Sequence, residues 1–212
     1  MAATVTWLAD APGTQRDIPA FGSESAMRKV TRQVAFDGRW DAERAAKVGA
    51  LFDSMADEWA QRASPERRAA MTDALDRGGI RGGRVVELGS GTGAGTEALA
   101  ERFGSIVALD LSLAMLQNAP ADAGSRVQGD SSALPFHDDS VDTLTLVNML
   151  LFPSEVDRVL SPTGQLVWVN SLAEETPIHL PPEDVVSALP GAWAAVAGRA
   201  GTGLWCVAAR VS

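Results

Sequence analysis

The stretch that decides the fold is Val85-Val86-Glu87-Leu88-Gly89-Ser90-Gly91-Thr92-Gly93, in which an apolar strand runs directly into a glycine turn. The pattern that follows predicts a helix from about residue 93 to residue 103. Glycines at alternate positions allow positive φ angles and let a ligand approach the backbone closely. The free N–H groups at the start of the helix point toward that ligand. Such a turn is typical of a protein that binds a nucleotide-containing cofactor.

Length and composition indicate a globular chain with a full core. The chain has 212 residues, 46% of them hydrophobic, so we expect one domain or one domain with an appendage. Its formal net charge is −9, and residues 81–212 hold 7 basic and 15 acidic side chains. Nucleic acids and anionic membranes are bound by clustered Lys and Arg, so this balance argues against both as partners. An acidic site instead favours a cationic ligand.

Neither an export signal nor a membrane span is predicted. The amino terminus lacks the basic and apolar pattern of a signal peptide, and the longest apolar run, at residues 144–152, is too short to cross a bilayer. Cys206 is the single cysteine, and the two histidines have no Cys or His partners at metal-ligand spacing. We therefore expect a cytoplasmic protein with no disulfide within the chain and no metal site.

The chain divides into an amino-terminal arm with a helical lid, at residues 1–80, and a cofactor-binding domain at residues 81–212. Residues 1–36 show little periodicity and predict an irregular arm with a short helix at about residues 25–34. Apolar residues at helical spacing between Asp41 and Trp59 predict a helix. A second helix is indicated by Ser64-Pro65, which has the capping residue and first-turn proline that helices favour.

After the glycine turn the pattern alternates between strand and helix, which is typical of a parallel sheet covered on both faces. The last two strand-like runs are separated by a short glycine-rich segment and predict an antiparallel pair. We therefore expect an α/β fold: a Rossmann-like, doubly wound, mostly parallel sheet of seven strands, with that antiparallel carboxyl-terminal pair and the helical lid. The predicted strands lie at about 84–88, 105–109, 125–128, 141–147, 164–170, 192–197 and 204–211, and helices at about 93–103, 112–118 and 153–160.

The glycine turn alone does not identify the cofactor. Gly89-x-Gly91-x-x-Ala94 also fits the dinucleotide fingerprint, and Asp110, 21 residues after Gly89, suits the ribose of either cofactor class. However, Glu87 beside the turn would repel a pyrophosphate and attract an ammonium or sulfonium group, and Asp130 after the third strand can accept a hydrogen bond from an adenine amine. The chain also has no tyrosine, which excludes a Tyr/Lys pair for hydride transfer. These features favour S-adenosylmethionine.

Three motifs in combination resemble class I S-adenosylmethionine-dependent methyltransferases. They are Glu87-Leu88-Gly89-Ser90-Gly91-Thr92-Gly93, then Ala108-Leu109-Asp110-Leu111-Ser112, and then Gly129-Asp130-Ser131-Ser132-Ala133-Leu134-Pro135-Phe136 ahead of Asp139-Ser140-Val141-Asp142. The resemblance extends from about Arg84 to Asn170. The upstream helix from Leu51 to Trp59 is similar to that of the small-molecule branch, which includes quinone and menaquinone methyltransferases.

The resemblance implies a role for each cofactor-binding residue. Glu87 would lie near the ammonium group, Asp110 would hold the ribose, and Leu111 would pack on the adenine. The turn backbone would cradle the amino-acid half of the cofactor, the edge of the adenine would meet Asp130 and its neighbour, and the residue after the fourth strand would face the reacting methyl group. Trp59 stands where an aromatic residue closes over the cofactor in this branch. The implied residues are Glu87, Gly89, Ser90, Gly91, Gly93, Asp110, Leu111, Asp130, Ser131, Asn148 and Trp59.

The sequence assigns no catalytic base. His179 follows the fifth strand, where acceptors often bind, and is a weak candidate, as is Asp138. Met149, Phe152 and Trp193 are candidates for the lining of an acceptor pocket, although apolar residues at such places more often belong to the core.

The expected function is in-line methyl transfer from S-adenosylmethionine to a small-molecule acceptor, with the lid supplying specificity. Two alternatives stay open. One is a pseudo-enzyme that keeps the cofactor pocket for a structural, regulatory or cyclising role, which the missing base and Trp59 favour. The other is a nicotinamide-dependent oxidoreductase. The sequence does not distinguish a monomer from a homodimer.

Overall fold

The computed structural model describes residues 4–19, 22, 25–59, 64–121 and 124–211. Its strands are β1 (Thr4–Trp7), β2 (Val85–Leu88), β3 (Ile106–Asp110), β4 (Ser125–Gln128), β5 (Val141–Val147), β6 (Leu160–Asn170), β7 (Trp193–Ala200) and β8 (Gly203–Arg210). Its α-helices are α1 (Ala26–Asp37), α2 (Ala42–Trp59), α3 (Pro65–Arg77), α4 (Ala94–Phe103), α5 (Leu113–Asn118), α6 (Pro153–Val159) and α7 (Pro182–Ala188). The strands form one sheet in the order β1-β7-β8-β6-β5-β2-β3-β4.

The predicted fold class is confirmed. Strand β8 runs antiparallel to β6 and β7, and the other strand pairs are parallel. The described sheet has eight strands where seven were predicted, because β1 adds an edge strand parallel to β7, with Thr4 opposite Ala194. Four residues are too few to show a period, and their partner lies far along the chain. Sequence reasoning therefore assigned this segment to an irregular arm.

The boundaries of the predicted strands and helices are close to those observed, with one larger difference at β6. This strand begins at Leu160 rather than near residue 164, because Leu160 pairs with Val141 before a register shift brings Gln165 opposite Thr143. The segment 161–164 between them contains Pro162 and Gly164, residues that usually interrupt a strand, which is why the sequence pattern predicted a later start.

The sheet is buried on both faces, and this burial builds the core. All four residues of β2 are buried, and Trp168 and Trp205 are fully enclosed. Helix α3 packs against β7 and β8 with Met71 and Leu75 in the core cluster of that face. Helix α3 belongs to residues 1–80, the predicted arm and lid. Part of that segment therefore packs directly against the sheet. The division of the chain at residue 80 stays a prediction.

Hydrogen bonds to the start of α5 hold helix α2 across the carboxyl edge of the sheet. Asp53 accepts hydrogen bonds from the Ser112 hydroxyl at 2.5 Å and the Ala114 N–H at 3.2 Å. Gly49 brings the helix close to Leu111, since a Cβ on Gly49 would lie 3.6 Å from that side chain. The predicted lid helix therefore covers the residue expected to pack on the adenine.

Among the described residues, no helix combines the length and apolar character that a bilayer span requires. The expectation of a cytoplasmic location stays a prediction.

Candidate functional site

A cavity of about 200 Å³ lies where the parallel strands β2, β3 and β5 end, between the glycine turn and the helices α1, α2 and α3. Ligands bind at this edge in open α/β sheets, because loops from distant parts of the chain meet there. Gly93 does not line the cavity; it precedes α4 with a φ of 86° and starts the helix. The other implied cofactor residues all line it, namely Trp59, Glu87, Gly89, Ser90, Gly91, Asp110, Leu111, Asp130, Ser131 and Asn148.

The glycine turn has the backbone conformation that the sequence predicts. Gly89 and Gly91 have φ angles of 65° and 55°, which favour glycine. A Cβ on Gly89 would lie 2.5 Å from the sulfur of Met149, so a side chain there would displace its neighbour. The N–H groups of Gly89 and Ser90 donate to the Leu109 carbonyl at 2.8 and 3.1 Å. These bonds hold the turn against the end of β3.

Glu87 is a buried carboxyl group at the base of the cavity. It is 1% exposed and accepts a hydrogen bond from the Thr96 hydroxyl. Gly95 leaves room for it, since a Cβ there would collide with Oε1. Burial raises the pKa of Glu87 to about 8, and the neighbouring Asp110 adds to the rise. No described cation pairs with this group, so a cationic ligand would meet an unbalanced carboxyl.

Asp110 ties the glycine turn to the loop after β3. Its Oδ2 accepts from the Gly91 N–H at 2.8 Å, and its Oδ1 accepts from the Ser112 N–H at 2.8 Å. Burial raises the pKa of Asp110 above its usual range, while these backbone donors act in the opposite direction. A carboxylate has about four acceptor positions, so Asp110 keeps capacity for ribose hydroxyls beside the two backbone bonds.

Asp130 has a partner that sequence reasoning missed. The indole N–H of Trp40 donates to Oδ1 and Oδ2 of Asp130 at 3.1 and 2.9 Å, and the Ser132 N–H donates to Oδ1 at 2.8 Å. Trp40 also packs edge-on against Phe152, with ring centroids 5.4 Å apart. It stands in the polar segment Asp37-Gly38-Arg39-Trp40-Asp41, where a large aromatic residue has no helical period to explain it. An aromatic residue outside any helical pattern was the signal in the sequence that could have identified Trp40.

Trp59 lies beside the glycine turn, and its closing over the cofactor stays a prediction. A Cβ on Gly91 would lie 3.7 Å from Nε1 of Trp59, and Phe52 packs against the indole with centroids 5.5 Å apart and an interplanar angle of 82°. The end of α2 therefore brings two aromatic rings to one wall of the cavity.

Asn148 and Ser171 hold two strand ends together beside the cavity. The Asn148 amide donates to the Ser171 hydroxyl at 2.8 Å, and the Ser171 N–H donates to Oδ1 of Asn148 at 2.8 Å. Asn148 has a φ of 49°, a conformation that asparagine tolerates better than most residues. Its side chain is used in this contact, and the residue also lines the cavity.

The two weak base candidates lie outside the cavity lining. His179 is buried, with Nδ1 2.8 Å from Oδ1 of Asn170, and burial lowers the pKa of His179 to about 4. Asp138 is paired with Arg158 at 2.8 Å. Neither is placed to take a proton from a molecule in the cavity.

Apolar side chains form the remaining wall. Met149 and Phe152 line the cavity, as the sequence suggested, whereas Trp193 packs against Arg210 elsewhere. Further lining residues on this side are Met27, Val48, Leu150 and Ile178. An apolar molecule would fit beside the carboxyl groups.

Comparison with known proteins assigns the family. Residues 86–168, which hold the glycine turn, Asp110 and Asp130, match the family model described as a methyltransferase domain. The chain contains a class I S-adenosylmethionine-dependent methyltransferase domain. S-adenosylmethionine is its cofactor class, and the unbalanced carboxyl of Glu87 fits a ligand with an ammonium group. Among the described residues, no group of three or more His, Cys, Asp or Glu could hold a metal ion.

The relatives of the methyltransferase domain include methyltransferases that are named for two different acceptors. Demethylmenaquinone methyltransferase of Renibacterium salmoninarum is 32% identical over 146 residues, which cover 59% of this chain and 59% of that protein. Malonyl-[acyl-carrier protein] O-methyltransferase of Halorhodospira halophila is 32% identical over 84% of this chain and 57% of that protein. The chain thus spans less than two thirds of the length of these relatives.

Solved structures support the fold of the methyltransferase domain. The complex of DhpI with SAH has a TM-score of 0.63 at 22% identity and covers 76% of this chain and 94% of that one. A SAM-dependent methyltransferase of Thermotoga maritima has a TM-score of 0.60 at 16% identity over 77% of this chain and 99% of that one.

Proposed function

We propose that the chain transfers the methyl group of S-adenosylmethionine to a small, largely apolar acceptor. The observation that carries this proposal is the cavity itself, where Glu87, Asp110 and Asp130 meet beside the apolar wall around Phe152. The carboxyl groups suit the cationic, adenosine-bearing donor, and the apolar wall suits the acceptor. We assign the donor and the acceptor to adjoining parts of this cavity.

The cofactor roles proposed for single residues follow their positions. Glu87 would bind the ammonium group, and the turn from Gly89 to Gly91 would support the amino-acid half. Asp110 would accept from the ribose hydroxyls. Leu111, which lies under α2, would pack on the adenine, and Asp130 with Ser131 would bind its edge.

The chain's own contribution to the reaction would be alignment and exclusion of water. Bound S-adenosylmethionine supplies a methyl group that is already activated by its attachment to a positively charged sulfur. The protein therefore has to hold the acceptor atom in line and keep the site dry, which the rings of Phe52, Trp59 and Phe152 favour. Since His179 and Asp138 lie outside the lining, we propose an acceptor that needs no base from the protein. Amines, thiolates and electron-rich ring carbons meet that condition.

The relatives support a small-molecule acceptor of this kind. Several of them are named for methyl transfer to demethylmenaquinone, which carries a ring. The apolar lining of the cavity agrees with an acceptor of similar character.

A second candidate function is cofactor binding without methyl transfer. The absence of both base candidates from the lining favours it, and it would suit a structural, regulatory or cyclising role. The nicotinamide alternative has lost its support, because residues 86–168 match the family model of a methyltransferase domain.

The test is transfer of a labelled methyl group from S-adenosylmethionine to a panel of naphthols, demethylated quinones, amines and thiols. We expect turnover with at least one ring acceptor, and its loss in Asp110→Ala. Tight cofactor binding with no transfer to any acceptor would favour the second candidate. Failure to bind the cofactor at all would contradict both.

A further inference from the structure

Trp40 connects the predicted lid segment to the carboxylate that is proposed to bind the adenine. Its indole N–H donates to both oxygens of Asp130, at 3.1 Å to Oδ1 and 2.9 Å to Oδ2. Both residues line the cavity. They are 90 positions apart in the chain, so no turn or helix cap explains their contact. The packing of the lid segment on the sheet places this N–H on the carboxylate.

The backbone and the ring of Trp40 are both held in place. Gly38 ends α1 with a φ of 63°, a left-handed conformation that suits glycine at the end of a helix. Asp41 caps the start of α2 by accepting from the Arg44 N–H at 2.8 Å. On the other side, the indole meets the ring of Phe152 at an interplanar angle of 77°. These contacts fix the direction in which the indole N–H points.

The hydrogen bonds to Asp130 leave room for one more donor. A carboxylate has about four acceptor positions. The N–H groups of Trp40 and Ser132 occupy the two positions on Oδ1, and the Trp40 N–H also occupies one on Oδ2. With respect to the bonds of the described residues, the open position therefore lies on Oδ2. A ligand that reaches Asp130 has to donate to that oxygen.

We propose that Trp40 is a positioning residue, which orients the Asp130 carboxylate so that its open acceptor position meets the exocyclic amine of the adenine. This deepens the proposed function and rests on it, since there Asp130 binds the adenine edge. An ionised carboxylate only accepts hydrogen bonds, so it pairs with the amine and rejects the oxygen that hypoxanthine carries at the same place. A misaligned hydrogen bond weakens steeply, so the orientation of the carboxylate determines how well the two bases are distinguished.

A merely structural role for Trp40 gives a different expectation. Loss of packing would lower the stability of the fold and weaken the binding of both bases by the same factor. Loss of the orientation of Asp130 would mainly weaken the binding of the base that carries the amine. We therefore use the adenosyl preference, which is the dissociation constant of S-inosylhomocysteine divided by that of S-adenosylhomocysteine. In the first ligand an oxygen replaces the adenine amine.

The experiment is calorimetry with both ligands on Trp40→Phe, Asp130→Asn and the double variant. Trp7→Phe is the matched control, because the Trp7 N–H also donates to a carboxylate, at an exposed position on the edge strand β1. We expect Trp40→Phe to lower the adenosyl preference by about fivefold or more. Asp130→Asn should lower it at least as far, and the double variant no further, because Trp40 acts through Asp130. Trp7→Phe should keep the preference of the unaltered protein.

An unchanged adenosyl preference in Trp40→Phe, with a lowered one in Asp130→Asn, would overturn the positioning role and leave the proposed function intact. A higher affinity of Trp40→Phe for S-adenosylhomocysteine would also overturn it, because the indole would then compete with the adenine for Asp130. Failure of the unaltered protein to bind S-adenosylhomocysteine would instead contradict the proposed function. Circular dichroism checks the fold of each variant. Trp40→Leu, which also lacks the donor, carries the same expectation if Trp40→Phe does not fold.

Discussion

The burial of Glu87 changes its protonation and so affects which ligand the cavity binds. Its carboxyl group is enclosed, its pKa is about 8, and it has no described cation beside it. In the unliganded protein it is therefore mostly protonated at neutral pH. A bound ammonium group would favour the ionised form, so cofactor binding should release a proton.

The first prediction concerns the stability of the unliganded protein against pH. The folded state holds the Glu87 proton more tightly than the unfolded chain, whose glutamates titrate near 4.3, so the stabilisation is complete below that value and is lost as pH rises through about 8. Between pH 6.5 and 8.5 the free energy of unfolding should fall by about 2 kcal/mol through Glu87, at about 1.4 kcal/mol per pH unit below the pKa. Glu87→Gln should remove this part of the slope in urea titrations.

The contribution of His179 is the same in the unaltered protein and in Glu87→Gln, so it cancels when the two slopes are compared. Burial lowers the pKa of His179 to about 4, so its neutral form stabilises the fold above pH 6.5, and that contribution is lost as pH falls toward 4. An equal slope in Glu87→Gln and the unaltered protein between pH 6.5 and 8.5 would show that Glu87 is already ionised.

The second prediction concerns Trp40 and its bond to Asp130. Trp40→Phe keeps an aromatic ring beside Phe152 but removes the N–H that donates to the carboxylate. We expect a loss of about 1.5–3 kcal/mol in unfolding free energy, as for hydrogen bonds to charged groups. Trp7→Phe is the control, because the Trp7 N–H donates to the carboxylate of Glu183 at an exposed position. Denaturant titrations measure the unfolding free energy of both variants. An equal loss in Trp40→Phe and Trp7→Phe would show that the buried hydrogen bond to Asp130 stabilises the fold no more than the exposed one to Glu183.

At the scale of elements, α2 controls access to the adenine side of the cavity. It crosses Leu111 at Gly49 and is fixed to α5 through Asp53. The approach is close because the helix has no side chain at this point. The close packing of α2 on Leu111 therefore depends on Gly49.

The third prediction compares two substitutions of Gly49. A Cβ there would make ordinary contact with Leu111, so Gly49→Ala should raise stability by about 0.8–1.0 kcal/mol through helix propensity and leave S-adenosylhomocysteine affinity unchanged. Gly49→Leu should overpack this contact, lift α2, and weaken the affinity by about tenfold or more. Calorimetry and thermal denaturation check both variants. Unchanged affinity in Gly49→Leu would mean that α2 does not cover the bound cofactor.

The elements differ in how well sequence alone predicted them. Strands β2 and β5 have apolar or β-branched runs bounded by turn residues, and helix α3 has a capped start, so local signals were sufficient. Strand β1 was missed because its partner β7 lies 190 residues away, at Ala194 opposite Thr4.

The candidate site divides in the same way. Glu87, Asp110 and Asp130 could be predicted because they lie at or just after the carboxyl ends of β2, β3 and β4. Trp40 could not, because it lies in the loop between α1 and α2, and no local pattern determines how that loop packs on the sheet.

The whole molecule brings these parts together through its topology. Parallel strands place their carboxyl ends at one edge, so Glu87, Asp110 and Asn148 meet although 61 residues of chain separate the first from the last. Residues of α1, α2 and α3 complete the lining of the cavity. Binding of a cofactor across this junction should stabilise the whole fold.

The fourth prediction follows from that coupling. S-adenosylhomocysteine at a hundred times its dissociation constant should raise the unfolding free energy by about 2.7 kcal/mol. For a chain of this size the melting temperature should rise by about 5–10 °C. NADH at the same concentration should leave it unchanged. A shift with NADH and none with S-adenosylhomocysteine would revive the dinucleotide alternative.

The central claim is that carboxyl groups from neighbouring strand ends surround a cationic adenosyl donor. A crystal structure with S-adenosylhomocysteine tests it most directly. The account predicts the ammonium group within hydrogen-bond distance of Glu87, the ribose hydroxyls on Asp110 and the adenine amine on Asp130. A cofactor bound elsewhere, or bound in the cavity with these three carboxyl groups turned away from it, would contradict the account.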